Sequence, residues 1–89
     1  MKNKPTAILK DWDIFWGILY GDVYGDNKYD DGDNIKVTSI VNITKESDHF
    51  IVETRNIIYK CMFKDASYNL SAFNSIDEIY EQLKDTIDK

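Results

Sequence analysis

Apolar and polar positions in this chain fall into short alternating runs, interrupted by one long polar stretch and closed by a helical pattern. Residues 35 to 44, IKVTSIVNIT, alternate most plainly. Ile35, Val37, Val41 and Ile43 face one way and Lys36, Thr38, Asn42 and Thr44 the other, with Ser39 and Ile40 out of step. A period of two predicts a strand. The polar run KESD then turns the chain into HFIVETR, where Phe50, Val52 and Thr54 oppose Ile51, Glu53 and Arg55. After a short turn near Arg55 and Asn56 comes IIYKCMF, with Ile57, Tyr59, Cys61 and Phe63 on one face. Successive runs joined by short turns predict an antiparallel meander.

Residues 12 to 20, WDIFWGILY, fit two periods. Trp12, Phe15, Trp16 and Leu19 share a helical face, while Ile14, Trp16, Ile18 and Tyr20 share one side of a strand. Gly17 and Gly21 disfavour a helix interior, and the aromatic and β-branched content favours a strand over about 16 to 24, buried on both faces. Near the C-terminus Ser75 is placed to cap a helix, with Glu78 completing a capping box. Ile76, Ile79, Tyr80, Leu83 and Ile87 form its apolar stripe, opposite Glu81, Lys84, Asp85 and Asp88. The expected fold is therefore α+β: a meander of four to five antiparallel strands with one C-terminal helix packed on a face.

With 89 residues, 43% hydrophobic and 13% aromatic, the chain has enough apolar material for one small core and one domain. So small a domain gains from self-association, so a homo-oligomer is expected. Sixteen acidic against eleven basic residues leave a net charge of -5, which opposes binding to duplex nucleic acid. The lone cysteine, Cys61, cannot form an internal disulfide, which points to a reducing cytoplasm. The apolar run at positions 7 to 9 is too short for a signal peptide core, and no window is long enough to span a membrane.

The densest polar stretch, YGDVYGDNKYDDGDN at positions 20 to 34, holds five aspartates, three glycines and three tyrosines. A calcium loop is the first chemistry to test. Setting Gly32 at the glycine position of an EF-hand puts Tyr29 at a ligand position and Thr38 where the bidentate Glu belongs, so the spacing fails. An Asp/Asn/Gly loop that satisfies its own backbone is the simpler account. His49 opens a strand with no partner nucleophile in sequence, and Cys61 alternates with Tyr59 and Phe63 as a core residue does. No phosphate loop, zinc spacing or nucleotide fingerprint is present, so neither an enzyme nor a cofactor is expected. Phe15, Trp16 and Tyr20 are expected in the core, whereas Tyr24 and Tyr29, at the strand end and in the loop, are open to a ligand. Lys36 and Thr38 on one strand face, with Thr54 and Arg55 on the next hairpin, could supply hydroxyls and cations to an anion.

The run VYGDNKYDDGDNIKVTSIV resembles a pattern in small proteins of phages and bacteria: V-Y-G, a variable run ending in an aromatic, then D-G-x-x-I and a hydroxyl pair. Tyr24, Gly25, Tyr29, Asp31, Gly32 and Ile35 carry it, with Trp12, Thr54 and Tyr59 on the flanks. Val37-Thr38 stands at the hydroxyl pair, so one hydroxyl is lost, and the glycine turn between Thr54 and Tyr59 is missing. The resemblance brings no activity with it. It implies a phage accessory protein that antagonises bacterial defence without catalysis. One route is sequestration of a small signalling nucleotide, as anti-Thoeris and anti-CBASS sponges do, with Tyr24, Tyr29, Lys36, Thr38, Thr54 and Arg55 as ligand residues. The other is occlusion of a host protein by carboxylates, from Asp22 to Asp33 and along the helix. A structural oligomerisation module is the third.

Overall fold

A computed structural model describes residues 4–67, 70 and 75–87. Six strands, β1 (Thr6–Phe15), β2 (Ile18–Tyr24), β3 (Asp33–Val37), β4 (Ile40–Lys45), β5 (His49–Thr54) and β6 (Ile58–Met62), precede a short 3-10 turn and helix α1 (Ile76–Lys84). They form one sheet in the order β3-β2-β1-β6-β5-β4. Each half is an antiparallel meander, but β1 and β6 meet in parallel, Thr6 opposite Ile58 and Leu9 opposite Cys61. The α+β class holds, and the single meander of four to five strands is corrected to a mixed sheet of six. The alternating runs account for four strands; β1, whose first half lies in a segment with only three consecutive apolar positions, and the division of residues 35 to 44 into β3 and β4 make six.

Two residues beyond β3 the chain enters β4, at the opposite edge of the same sheet. Laid flat, six strands would hold their outer edges about 24 Å apart. Three Cα steps from Val37 to Ile40 reach at most about 11 Å. The sheet must therefore coil until its edges meet at Thr38-Ser39. The strand expected over 35 to 44 is thus two strands, split where the alternation failed. Ser39 takes the left-handed conformation, φ 60°. A register shift between Ile40 and Asn42 turns Ile40 inward and leaves Val41 43% exposed, the reverse of the facing read from the sequence.

The core lines the inside of this coil. Ala7, Leu9, Leu19, Val23, Ile35, Phe50, Val52 and Cys61 alternate inward, and Ile79 and Leu83 of α1 pack with them. Ser75 caps α1 by accepting the Glu78 N–H, as its position predicted, while Asp88 lies outside the described residues. One irregularity organises the core. Between Lys10 and Asp13 the pairing with β2 shifts, so that Asp11 and Trp12 oppose Gly21 alone. Asp11 takes φ 48° to make this bulge. The extra residue puts Trp12 on the same side as Leu9, fully buried, with its indole N–H donating to the Met62 carbonyl at 2.8 Å. Both side chains close over Gly21: a Cβ there would lie 3.2 Å from Trp12 Cβ and 3.2 Å from Leu9 Cδ2. A glycine inside a strand commonly marks such a bulge or close approach.

The bulge also corrects the account of 12 to 20. The chain turns at Trp16-Gly17, both with positive φ, and β2 begins at Ile18. Leu19, Gly21 and Val23 face inward and Tyr20 lies half-buried on the outside, so β2 is buried on one face and not on two. Trp12 fills the core, whereas Phe15 and Trp16 do not: they are 58% and 85% exposed.

Candidate functional site

Strand ends leave open space between them. Such a space, a cleft of about 320 Å³, lies where several breaks in the alternation come together. Pro5 leads into β1, residues 26–29 follow β2, residues 36–39 carry the edge-to-edge joint, and Thr54, Asn56, Ile57 and Tyr59 come from the β5–β6 connection. Each segment is a turn or strand end, so its residues are polar for local backbone reasons. The groups left over after those needs are met define what the cleft can bind.

The wall formed by residues 26–29 is fixed by the loop's own aspartates. Asp26 Oδ1 accepts the Lys28 N–H at 2.9 Å, and Gly32 N–H returns to the Val23 carbonyl at 2.7 Å. Asp31 accepts from Gly25 N–H at 2.9 Å and Asp33 from Asp30 N–H at 3.1 Å. The second oxygen of Asp26 accepts the Tyr59 hydroxyl at 3.1 Å, tying the loop to β6. Burial, and then this carboxylate partner, pushes the Tyr59 phenol well above its ordinary 10.0. Among the described residues no three of His, Cys, Asp and Glu are grouped as ligands for a metal.

Of the residues singled out in the sequence, Tyr29, Lys36, Thr38 and Thr54 line this cleft. Tyr29 is half-buried against the core, with Lys28 Nζ 5.8 Å from its ring centroid. Lys36 and Thr38 are exposed, and among the described residues their side chains make no hydrogen bond. Thr54 is buried and already engaged: its hydroxyl donates to the Ile57 carbonyl at 2.8 Å and accepts the Ile57 N–H at 3.0 Å. It shapes the turn, leaving little for a ligand. Tyr24 and Arg55 do not line the cleft. Tyr24 lies under Lys10 Nζ, 5.3 Å from its centroid, with its phenol against Gly32. Arg55 is exposed and reaches the cleft only through its backbone N–H, which donates to the Ser39 carbonyl at 3.2 Å. The second cation of the lining is Lys28, and Asp26, Asn56 and Tyr59 join it. None of these four was chosen from the sequence as a ligand residue: Lys28 and Asn56 were passed over, Asp26 was named only among the carboxylates of the occlusion reading, and Tyr59 only as a flank of the resemblance. Lys28 next to Tyr29 was the available signal.

The remaining titratable groups lie elsewhere. His49 Nδ1 sits 2.6 Å from Asp48, whose carboxyl is held below its ordinary value by that bond. The Cys61 thiol, fully buried, is pushed well above its ordinary 9.0 by burial alone. It has the environment of a packing residue and not that of a nucleophile. Among the described residues, no helix is long and apolar enough to cross a membrane. No protein-family model, curated protein or solved structure matches the chain.

Proposed function

We propose that the chain is a non-enzymatic binding protein that takes up a small signalling nucleotide in the cleft, as a cytoplasmic antagonist of bacterial defence would. The observation that carries this is the grouping of Tyr29, Lys28, Lys36 and Thr38 around one opening of about 320 Å³. A ring, two cations and a hydroxyl match a base, a phosphate and a ribose in kind. The Asp26 carboxylate sits among them, with one oxygen accepting the Lys28 N–H and the other the Tyr59 hydroxyl. The lining holds no histidine or cysteine, which favours holding a ligand over transforming it.

The volume lies at the low end of small-molecule sites, roughly 300–1,000 Å³. A ligand larger than one nucleotide would therefore need a second copy of the chain, consistent with the expected homo-oligomer. Occlusion of a host protein by the acidic loop has less support, because Asp26, Asp31 and Asp33 are tied to their own backbone. Calorimetry against cyclic dinucleotides, cyclic trinucleotides and cyclic ADP-ribose isomers tests the proposal. One of them should bind the unmodified protein, and Lys36→Glu should weaken it at least about tenfold by reversing a charge beside the phosphate. Absence of binding by the whole panel, or binding indifferent to Lys36→Glu, refutes it.

A further inference from the structure

We propose that the base taken up in the cleft is guanine, read on its Watson–Crick edge by the Asp26 carboxylate; this rests on the nucleotide reading above and names the class of nucleotide. Asp26 lines the cleft and, among the described residues, has no lysine or arginine in ion-pair contact. Its Oδ1 accepts the Lys28 N–H at 2.9 Å and its Oδ2 the Tyr59 hydroxyl at 3.1 Å. An ionised carboxylate has about four acceptor sites. One bond to each oxygen therefore leaves a further lone pair on each, while the same two bonds hold the side chain in place for a ligand.

Two neighbouring acceptors call for two neighbouring donors. Guanine carries them on one edge, N1–H beside the 2-amino group. Adenine and cytosine set a single amino group beside a ring-nitrogen lone pair, which a carboxylate oxygen repels. Uracil and thymine hold one N–H between two carbonyls. Among the common bases, a carboxylate at that edge therefore selects guanine, and a paired contact of this kind discriminates by at least about tenfold.

The place of Asp26 in the fold fits this role. Tyr29 N–H donates to the Asp26 carbonyl at 3.2 Å and closes the turn over residues 26–29. Carboxylate and half-buried ring thus come from one turn, whose ends lie within about 7 Å of each other, so a base lying against the ring has the carboxylate in reach of its edge. Lys36 and Thr38 come from a separate segment, the joint between β3 and β4. Asp26 repels a phosphate, which belongs with Lys36, and so it suits the end of the nucleotide farthest from that charge. A carboxylate can also hold ribose hydroxyls. These lie nearer the phosphate than the base edge does, which favours the base.

Calorimetry on the unmodified chain compares guanine, hypoxanthine and adenine nucleotides, as cyclic dinucleotides and as 5′-monophosphates. Guanine should bind at least about tenfold tighter than adenine, with hypoxanthine, which lacks only the 2-amino group, in between. Asp26→Asn keeps an acceptor for the Lys28 N–H and a donor toward Tyr59, so the chain should still melt cooperatively. It turns one acceptor into a donor, so guanine should weaken at least about tenfold and xanthine, whose C2 oxygen accepts, should become the preferred base. Equal binding of adenine and guanine, or guanine affinity unmoved by Asp26→Asn, overturns this inference and leaves the nucleotide reading standing. So does a 2′-deoxy guanine nucleotide that loses more than the hypoxanthine one, which assigns Asp26 to the sugar, or tight binding of a cyclic ADP-ribose isomer alone. Absence of binding by every nucleotide overturns both readings.

Discussion

Alkaline pH should destabilise this protein through two buried acids, chiefly Cys61. The thiol is fully buried with no charged partner, and Tyr59 is 5% exposed beside the Asp26 carboxylate, so both favour the protonated form in the folded state. A group whose value is raised by folding contributes stability below its ordinary value and loses it as pH rises. The window therefore opens at the ordinary thiol value of 9.0 and widens past the ordinary phenol value of 10.0. At about pH 10.5 ionisation of the unfolded thiol favours unfolding by about 2 kcal/mol, and of the unfolded phenol by about 1 kcal/mol. Together this removes a large part of a total stability of about 5–15 kcal/mol.

Urea titrations of the unmodified chain and of Cys61→Ala at about pH 7 and about pH 10.5 separate the thiol from everything else. Cys61→Ala lowers stability at both pH values through the lost sulfur, by about 1–2 kcal/mol. Its further loss between them should be about 2 kcal/mol smaller than that of the unmodified chain. If the two proteins lose stability in parallel, the thiol is not confined to its neutral form and the account of the core around it is wrong.

Two other substitutions test the parts that build the fold and the cleft. Gly21→Ala should destabilise by about 1–2 kcal/mol, because the added methyl at 3.2 Å from Trp12 Cβ meets an atom next to the backbone that cannot swing away. That exceeds the roughly 0.4–1 kcal/mol gained from a stiffer unfolded chain, so the melting temperature should fall by several degrees, and a rise would refute the crowding at the bulge. Tyr59→Phe removes the bond that ties the 26–29 segment to β6, costing about 1 kcal/mol since Asp26 remains half-exposed and can take up water. Coupling with Asp26→Asn in a double-mutant cycle measures it, and additive effects would mean the bond contributes nothing.

The sequence showed its elements better than their arrangement. The C-terminal helix, its Ser75 cap and its stripe were legible because capping and periodicity are local properties. The turn ahead of β6 and the inward set Phe50, Val52, Tyr59 and Cys61 were legible for the same reason. The parallel contact of β1 with β6 was not, since it pairs residues about fifty positions apart and leaves no periodic trace. Trp16, expected in the core, stands in the exposed turn before β2, and Trp12, whose place the sequence left open, is buried because one extra residue at Asp11 reverses the facing after it. In the cleft, Tyr29, Lys36 and Thr38 could be chosen by chemistry, whereas Tyr24 and Arg55 had the same chemistry and face elsewhere.

That contrast bears on where a small coiled sheet can keep a function. Its inner face is consumed by packing, and any residue that interrupts the alternation there must be matched elsewhere, as Gly21 matches the bulge at Asp11. Polar groups that remain available can gather only at strand ends, where turns already demand Asp, Asn, Ser and Thr. Most of those groups are then occupied by their own backbone, as Thr54, Asp31 and Asp33 are. Around this cleft the side chains that have donors and make no hydrogen bond among the described residues are Asn27, Lys28, Tyr29, Lys36, Thr38, Ser39 and Asn56. None of these is a carboxylic acid. In a chain of net charge -5, the opening therefore presents two cations and several neutral donors beside the single carboxylate of Asp26, which is held by the Lys28 N–H and the Tyr59 hydroxyl. That is the residue set behind the proposed ligand, an anion with a flat ring that would stack toward Tyr29 between the two lysines.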